Sequence, residues 1–432
     1  MQRWLRMYAA IQGYPPDRIR MWVWGVDIPN SPPQGNSVVV GTLAYYLNGS
    51  HLTPELNYGT ETPDPEPGSC PDESNPSEVG NPTNAHIGNK LHSERITACS
   101  GEDGLRLELF YNSATAVAGA FGANWSANYF QKLEPYLNNA TTPSVVAYRP
   151  DGRIVTFQRI GGLWKPASPI TARIAPVSDG WSYTTASGTV EYYTSAGKLT
   201  KVESLDGRRH LLAYDGAGRL SLVTSPFGRT LAFGYDTRGR VNQITDPAGR
   251  LYGITYADPS NNLSLVTYPD TTTKHFLYEA PSYVNAMTGI EDENHDRYAT
   301  YAYDPVTGRV TSTEHTGGVN RVDLARNADG STTVTDAQGM ARTYRNQSFQ
   351  GVARTTLIEG PPCDWCTEYP ARTPDQYGFL QAATNWNGKL TTYLRQDPAG
   401  RSTSTSGNTV FTHYNVNAQY LRNIGITLPG GF

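Results

Sequence analysis

Three stretches of the chain overlay at an offset of 21 residues, and this repeat restricts the fold more than any other feature. The overlay aligns a column of tyrosines, Tyr214, Tyr235 and Tyr256. A Gly-Arg pair recurs in the same register, at residues 207–208, 228–229 and 249–250. A fixed period of this size marks one supersecondary unit that the chain uses repeatedly, so the fold has to follow from that unit.

Each unit combines strand and turn signals. Leu231, Phe233 and Tyr235 alternate with other residues and therefore share one face of a strand, because successive side chains point to opposite faces. Tyr-Asp-x-x-Gly-Arg at 214–219 and 235–240 is a turn signal, since Asp accepts backbone N–H bonds and Gly takes a positive φ. The pattern predicts a run of antiparallel hairpins, that is, a β-meander.

Variants of this turn continue to the C-terminal end. They occur at Tyr303–Val310, Asp336–Gly339, Asp375–Leu380 and Asp397–Arg401. Upstream, residues 149–157 indicate a further hairpin. The repeat array is therefore predicted to extend from about residue 145 to residue 432.

These motifs resemble a known family. Tyr-Asp-x-x-Gly-Arg-Leu at this spacing resembles the YD repeat of the Rhs family, which includes bacterial polymorphic-toxin shells, wall-associated proteins, insecticidal toxin-complex shells and teneurins. Independently, residues 80–90, Gly-Asn-Pro-Thr-Asn followed by Ile-Gly-Asn-Lys, are similar to the motif with which the family's repeat region opens. Tyr148–Arg153 matches the start of such an array.

The resemblance implies an all-β fold, in which an antiparallel YD-repeat meander forms part of a curved β-shell, or cocoon. Three regions are expected. They are a poorly defined leader with a Pro-rich acidic linker (1–79), a β-rich N-terminal Rhs-type domain (80–144), and the repeat array of a truncated shell (145–432). The array is expected to be too short to close a full cocoon.

The resemblance also implies a function. The chain is predicted to be a non-catalytic scaffold that encapsulates and helps to deliver a C-terminal cargo or toxin, with the cargo itself absent here. Its expected partners are that polypeptide and a delivery apparatus, and its expected location is secreted or at the cell surface. The alternative is an extracellular carbohydrate-binding or adhesion protein, in which tryptophans such as Trp164 and Trp181 stack on sugar rings.

The composition of the chain restricts the classes of partner that it is expected to bind. The net charge of −4 and the pI of about 6.1 disfavour a dedicated nucleic-acid binder. The chain has no apolar run of about 18 residues, so no membrane-spanning helix is predicted. The first ten residues lack the apolar core of a signal peptide, so the expected export rests on the resemblance alone.

Four cysteines raise the question of a metal or redox site. Cys363 and Cys366 form a Cys-x-x-Cys pair, which is compatible with a local disulfide, two structural thiols, half a zinc site or a redox pair. Cys70 and Cys99 do not supply a second short pair. The structural interpretation is favoured, and no metal or cofactor is predicted.

Other motifs with possible chemistry also favour structural interpretations. Asp246-Pro-Ala-Gly and Asp397-Pro-Ala-Gly resemble the family's self-cleavage motif, but Arg replaces its final Leu, so both are interpreted as turns. The acidic residues 291–293 and Asp296, beside His295, are interpreted as a solvated loop rather than a cation site. No nucleophile elbow or phosphate-binding loop occurs, so no catalytic, cofactor-binding or metal-ligating residue is named.

Overall fold

A computed structural model describes residues 20–23, 43–47, 50–52, 78–97, 104–115, 119–137, 143–167, 170, 172–349, 352–362, 369–374, 380–395 and 402–406. Within these ranges the chain is all-β, and a 3-10 turn at Thr316–Gly318 is the one helical segment among them. No helix in this part of the chain is long and apolar enough to span a membrane.

The first twelve strands form four small antiparallel sheets. Strands β1 to β3 form one sheet, β4 and β5 a second, β6 to β8 a third, and β9 to β12 a fourth. Their bounds are β1 Arg20–Val23, β2 Leu43–Leu47, β3 Ser50–Leu52, β4 Glu78–Val79, β5 Thr83–Asn84, β6 Leu91–Arg95, β7 Glu108–Asn112, β8 Trp125–Ala127, β9 Lys132–Tyr136, β10 Ser144–Tyr148, β11 Ile154–Ile160 and β12 Leu163–Pro166.

The remaining 22 strands form a single sheet in which every strand pairs with its neighbours in sequence. This order is an antiparallel meander, so the fold class predicted from the repeat is confirmed. The strands are β13 Arg173–Val177, β14 Gly180–Thr184, β15 Val190–Thr194, β16 Leu199–Glu203, β17 Arg209–Tyr214, β18 Leu220–Thr224, β19 Thr230–Tyr235, β20 Val241–Thr245, β21 Leu251–Ala257, β22 Asn262–Thr267, β23 Thr273–Leu277, β24 Gly289–Glu291, β25 Arg297–Tyr303, β26 Val310–His315, β27 Val319–Arg326, β28 Thr332–Asp336, β29 Ala341–Phe349, β30 Val352–Glu359, β31 Ala371–Pro374, β32 Leu380–Thr384, β33 Leu390–Arg395 and β34 Ser402–Ser406.

The hairpin that follows each repeat tyrosine has a constant geometry, which we call the tyrosine turn. In the copy at 214–220, the N–H of Asp215 donates to the oxygen of Arg219 at 2.8 Å, and Gly218 has a φ of 79°. A residue without a side chain adopts this left-handed conformation readily, which explains the glycine. The strand pairing shifts by one residue beside the tyrosine, so each tyrosine turn carries a β-bulge.

One face of the meander is covered by the region that contains strands β4 to β12. Three apolar clusters each combine residues from both regions. Their N-terminal members include Leu107, Trp125 and Phe157, and their meander members include Phe233, Tyr183 and Val334. Burial of apolar area is the main force that holds two such layers together. The two parts of the chain therefore share one core.

The region limits 1–79, 80–144 and 145–432 remain predictions. The limit at residue 144 coincides with the first residue of β10, and β10 pairs with β9 along its whole length. The 22-stranded sheet itself begins at β13.

Candidate functional site

The repeat tyrosines link each repeat to the one before it. Tyr214, Tyr235 and Tyr256 donate their hydroxyls to the main-chain oxygens of Leu199, Leu220 and Val241, each at 2.6 Å and each 15 residues upstream. Burial raises the pKa of Tyr214 to about 12, so its hydroxyl stays a protonated donor at neutral pH. These hydrogen bonds therefore recur with the same 21-residue period as the sequence motif.

The basic residue after each turn glycine reaches the tyrosine of the next repeat. Lys198 lies over the ring of Tyr214, Arg219 over Tyr235 and Arg240 over Tyr256, at 4.5, 4.5 and 4.3 Å from the ring centroids. A cation above an aromatic face is attracted by the ring quadrupole. Each repeat thus contacts its upstream neighbour through tyrosine and its downstream neighbour through arginine or lysine.

The turn aspartates bind both the backbone and this arginine. In one copy, Asp236 accepts from the N–H of Arg240 at 2.9 Å and from its Nε at 2.7 Å. Asp246 and Arg250 repeat the arrangement in the alternate turn. Burial by itself would raise the pKa of Asp246, but the hydrogen bonds and charge of Arg250 bring it below its usual value. These arginines therefore stabilise the turns in which they lie.

We call the described residues from 78 to 137 the strap, because their backbone follows the row of tyrosine turns. Four main-chain hydrogen bonds connect the two. The N–H of Leu133 donates to Gly197 at 2.9 Å, Ala123 to Asn261, Val241 to Ala120, and Val310 to Gly88, the last three at 2.8 Å. At the bulges, Val241 and Val310 lie opposite Tyr235 and Tyr303, and their N–H groups donate to the strap. The strap satisfies the donors that the bulges release.

Large aromatic residues of the strap fix its position on the sheet. The indole N–H of Trp125 donates to the hydroxyl of Tyr278 at 2.7 Å. The hydroxyl of Tyr111 donates to the oxygen of Asn285 at 2.8 Å and accepts from the N–H of Met287 at 2.9 Å. Tyr111 and Trp125 are 1% exposed, so these polar atoms are satisfied inside the core.

Two glycines allow the backbones of strap and turn to approach closely. A Cβ at Gly197 would overlap the main-chain oxygen of Leu133, and one at Gly122 would overlap that of Asn261. By contrast, a Cβ at Gly207, the glycine of the next alternate turn, would meet nothing within 4 Å. Gly197 and Gly122 therefore serve the docking of the strap in addition to local backbone geometry.

A buried ion pair joins the β10–β11 turn to the meander. Arg149 binds Glu191 with both terminal nitrogens, at 2.7 and 2.8 Å, and Tyr193 and Gln131 also donate to this carboxylate. Burial favours the neutral acid, but the charge of Arg149 and these hydrogen bonds hold the pKa of Glu191 below its usual value. Removing one partner would leave the other charge buried and unpaired.

A second network anchors β6. The carboxylate of Glu94 contacts Lys274 at 2.9 Å, Tyr268 at 3.1 Å and His92 at 3.2 Å. Lys274 and Tyr268 belong to the β22–β23 hairpin and lie 180 and 174 residues from Glu94 in sequence. Contacts of this kind are the long-range part of an otherwise local fold.

A cavity of about 590 Å³ lies where the β10–β11 turn faces the tyrosine turn at 236–240. Its lining includes five basic side chains and no acidic one: Lys132, Arg149, Arg153, Arg238 and Arg240. Lys132 pairs with Glu134, Arg149 with Glu191 and Arg153 with Asp151. Arg238 and Arg240 both pair with Asp258. These carboxylates lie outside the lining of the cavity. The positive charge of the cavity is thus balanced by its immediate surroundings.

The residues that the sequence suggested for ligand or metal binding lie in different environments in the structure. Trp181 is only 5% exposed and packs against Trp164 with ring centroids 5.2 Å apart, so the interpretation of Trp181 as an exposed sugar-stacking residue is wrong. Asp292 accepts from the N–H groups of Asn294 and Asp296 in a turn. No three His, Cys, Asp or Glu side chains within the described ranges are placed to hold a metal ion. The four cysteines and the turn at Asp397 lie outside the described residues.

The sequence did not reveal the bonds between strap and turns. They join main-chain atoms, which leave no mark on residue type except at Gly122 and Gly197. Lys90 occurs in the opening motif that the sequence singled out, but its partner Tyr301 lies more than 200 residues away. Only the folded chain brings these groups together.

Comparisons with known proteins agree with the motifs. Residues 214–251 match the family model described as RHS Repeat, and residues 80–157 match a model described as a domain of unknown function, DUF6531. No curated protein matches the chain.

Solved structures with partial similarity include toxin components. A crystal structure of TcdB2-TccC3-Cdc42 shares 14% identity over 73% of this chain and 19% of its own, with a TM-score of 0.34. A crystal structure of TcdB2-TccC3 shares 12% identity over 76% and 21%, with a TM-score of 0.33. The Tc holotoxin pore of Photorhabdus luminescens with a TccC3 mutation shares 12% over 75% and 18%, with a TM-score of 0.32. The chain thus spans about a fifth of the length of these proteins.

The family assignment rests on the two sequence models, on the YD motif and on the turn geometry that this motif produces. The models cover the opening region and the most regular repeats, and the meander extends the same unit on both sides. The chain carries RHS repeats and resembles Rhs/YD-repeat proteins.

Proposed function

We propose that this protein is a non-catalytic scaffold that forms a section of the wall of an Rhs-type toxin shell. The observation that carries this proposal is the continuous 22-stranded meander, in which every described strand is bonded to the next. A wall that separates two spaces needs such continuity, because an unpaired strand edge inside it would be a breach and a site of association.

The contacts between repeats support a wall that keeps its shape. Hydrogen bonds from tyrosine and cation–π contacts from arginine connect successive repeats in addition to the strand ladder. The strap adds a second layer over the apolar face. Two packed layers resist bending and twisting better than an isolated sheet does.

The two faces of the sheet differ, as the wall of a container requires. The face under the strap carries buried residues such as Phe233 and Ile254. The opposite face carries Thr224, Thr245 and Thr267, which are partly exposed and pair with Leu211, Ala232 and Gly253. This second face is therefore open to water.

We further propose that the enclosed material is a polypeptide, in line with the toxin components named among the similar structures. A delivery apparatus would be its second partner, and the protein would act outside the cell that makes it. Its action would be physical, since an enclosed chain is shielded from solvent, proteases and its own target.

Protease protection tests this proposal. A protease-sensitive reporter peptide joined after Phe432 should be digested more slowly than the same peptide joined before Met1, because only the first is presented to the C-terminal end of the repeat array. Digestion would be followed by mass spectrometry at several protease concentrations, with the free peptide as reference. Equal digestion rates for the two fusions would contradict shielding by this section of the wall.

A further inference from the structure

Lys90, the last residue of the opening motif, is completely buried at the junction between the strap and β25. Its Nζ donates to the main-chain oxygens of Asn81 and Leu91, and the oxygen of Pro82 lies at 3.4 Å. The ring centroid of Tyr301 lies 4.2 Å from the same nitrogen. The amine is therefore surrounded by three oxygens and one aromatic face.

All of these neighbours are electron-rich. A neutral amine would need a donor for its lone pair, and none of the four groups offers one. An ammonium donates three hydrogens and carries the charge that an aromatic face attracts. Lys90 forms no salt bridge within the described part of the chain, so these dipoles take the place of a carboxylate. Burial lowers the pKa of Lys90 well below its usual value, so the charge of this amine rests on the geometry of its neighbours.

Carbonyl oxygens that replace the water around a cation are also the means by which proteins bind free monovalent cations. We propose that the oxygens of Asn81, Pro82 and Leu91, with the face of Tyr301, form a binding site for a primary ammonium, which the chain fills with its own Lys90. The site would accept a small alkylammonium ion from solution once the lysine side chain is removed.

The position of this site gives it a structural role. The loop that supplies the three oxygens is also bonded to the meander by the N–H of Val310, which donates to Gly88, and by the hydroxyl of Thr332, which donates to Ala85. A cation at the centre of this loop neutralises dipoles that would otherwise face one another without water. Occupancy of the site therefore holds the start of the strap on β25 and β26.

Chemical rescue tests the proposal. Lys90→Ala removes a three-carbon ammonium and should lower Tm. Because n-propylammonium matches the atoms removed, it should then raise Tm progressively between about 1 and about 100 mM through linkage. Wild-type protein and Lys90→Met, which fills the space with an apolar chain, should not respond. Sodium chloride at equal ionic strength and the neutral isostere 1-propanol serve as solute controls.

The outcomes are distinct. The site is supported if n-propylammonium, but neither control solute, raises the Tm of Lys90→Ala and leaves the Tm of the other two proteins unchanged. An equal response of all three proteins would overturn the proposal. A folded Lys90→Ala variant that does not respond to n-propylammonium would also overturn it. If Lys90→Ala does not fold, NMR of wild-type protein labelled at lysine Cε and Nζ decides. An ammonium signal for Lys90 at pH 7 supports the proposal, and a neutral amine signal refutes it.

Discussion

A single hydroxyl group per repeat adds one hydrogen bond between neighbouring repeats to the bonds of the strand ladder. Tyr235 is half-buried, and its hydroxyl is the donor to the oxygen of Leu220. Its ring also receives Arg219 from above. The tyrosine thus has one role that depends on its ring and one that depends on its hydroxyl, and substitution by phenylalanine separates the two.

Tyr235→Phe should lower the free energy of unfolding by about 1 kcal/mol, because it removes one hydrogen bond and leaves its acceptor unpaired while the ring remains. Urea unfolding measured by circular dichroism would give this value. Tyr298→Phe is the matched control, since Tyr298 lies in β25 with 49% of its surface exposed, and its loss should be close to zero. Equal effects of the two substitutions would show that the hydroxyl bond contributes nothing.

At the scale of elements, the docking of β9 on the tyrosine turn at 194–198 depends on one glycine. Gly197 and Gly207 have φ angles of 83° and 81°, so alanine introduces the same backbone strain at both. Only at Gly197 would the new methyl group overlap the strap, at the oxygen of Leu133. The difference between the two variants therefore isolates the contact between elements.

Gly197→Ala should destabilise the protein by about 2 kcal/mol more than Gly207→Ala, since a main-chain overlap has to be relieved by moving a strand. Hydrogen exchange should also show faster opening of β9 in Gly197→Ala alone. Equal losses in urea unfolding, with unchanged exchange in β9, would contradict close docking at this position.

The sequence predicted the elements better than their packing. Alternating residues such as Leu231, Phe233 and Tyr235 and the Asp-x-x-Gly turns are local signals, and local signals were sufficient for the meander. Trp181 was misjudged because a strand pattern does not reveal which face another sheet will cover. The position of the strap depends on main-chain bonds across long separations, which residue types do not encode.

For the whole molecule, acid should act on many repeats together. Asp236, Asp246 and Asp336 each have a pKa below the usual 3.8, because hydrogen bonds and the charge of a nearby arginine outweigh the effect of burial. A folded-state pKa below the unfolded value means that stabilisation is complete above about pH 4 and is lost as the pH falls through the folded value.

We therefore expect the free energy of unfolding to decline steeply below about pH 4, because several turns lose their ion pairs over the same range. Urea unfolding at a series of pH values would measure the slope. In Asp246→Asn the slope should be shallower, since one titrating group is gone. An identical slope in that variant would mean that other carboxyl groups, such as Glu191, dominate acid unfolding.

The repeat tyrosines bind acceptors that precede them in the sequence, and this order matters for folding during translation. Each hydroxyl binds a main-chain oxygen that precedes it by 15 residues, so the acceptor emerges from the ribosome before the tyrosine does. The strap is translated before any strand of the meander, and it is available as a template while the repeats are added one at a time. The tyrosine bond of each repeat therefore needs no segment that has yet to be synthesised, whereas the cation–π contact of its arginine forms only when the next repeat has been added.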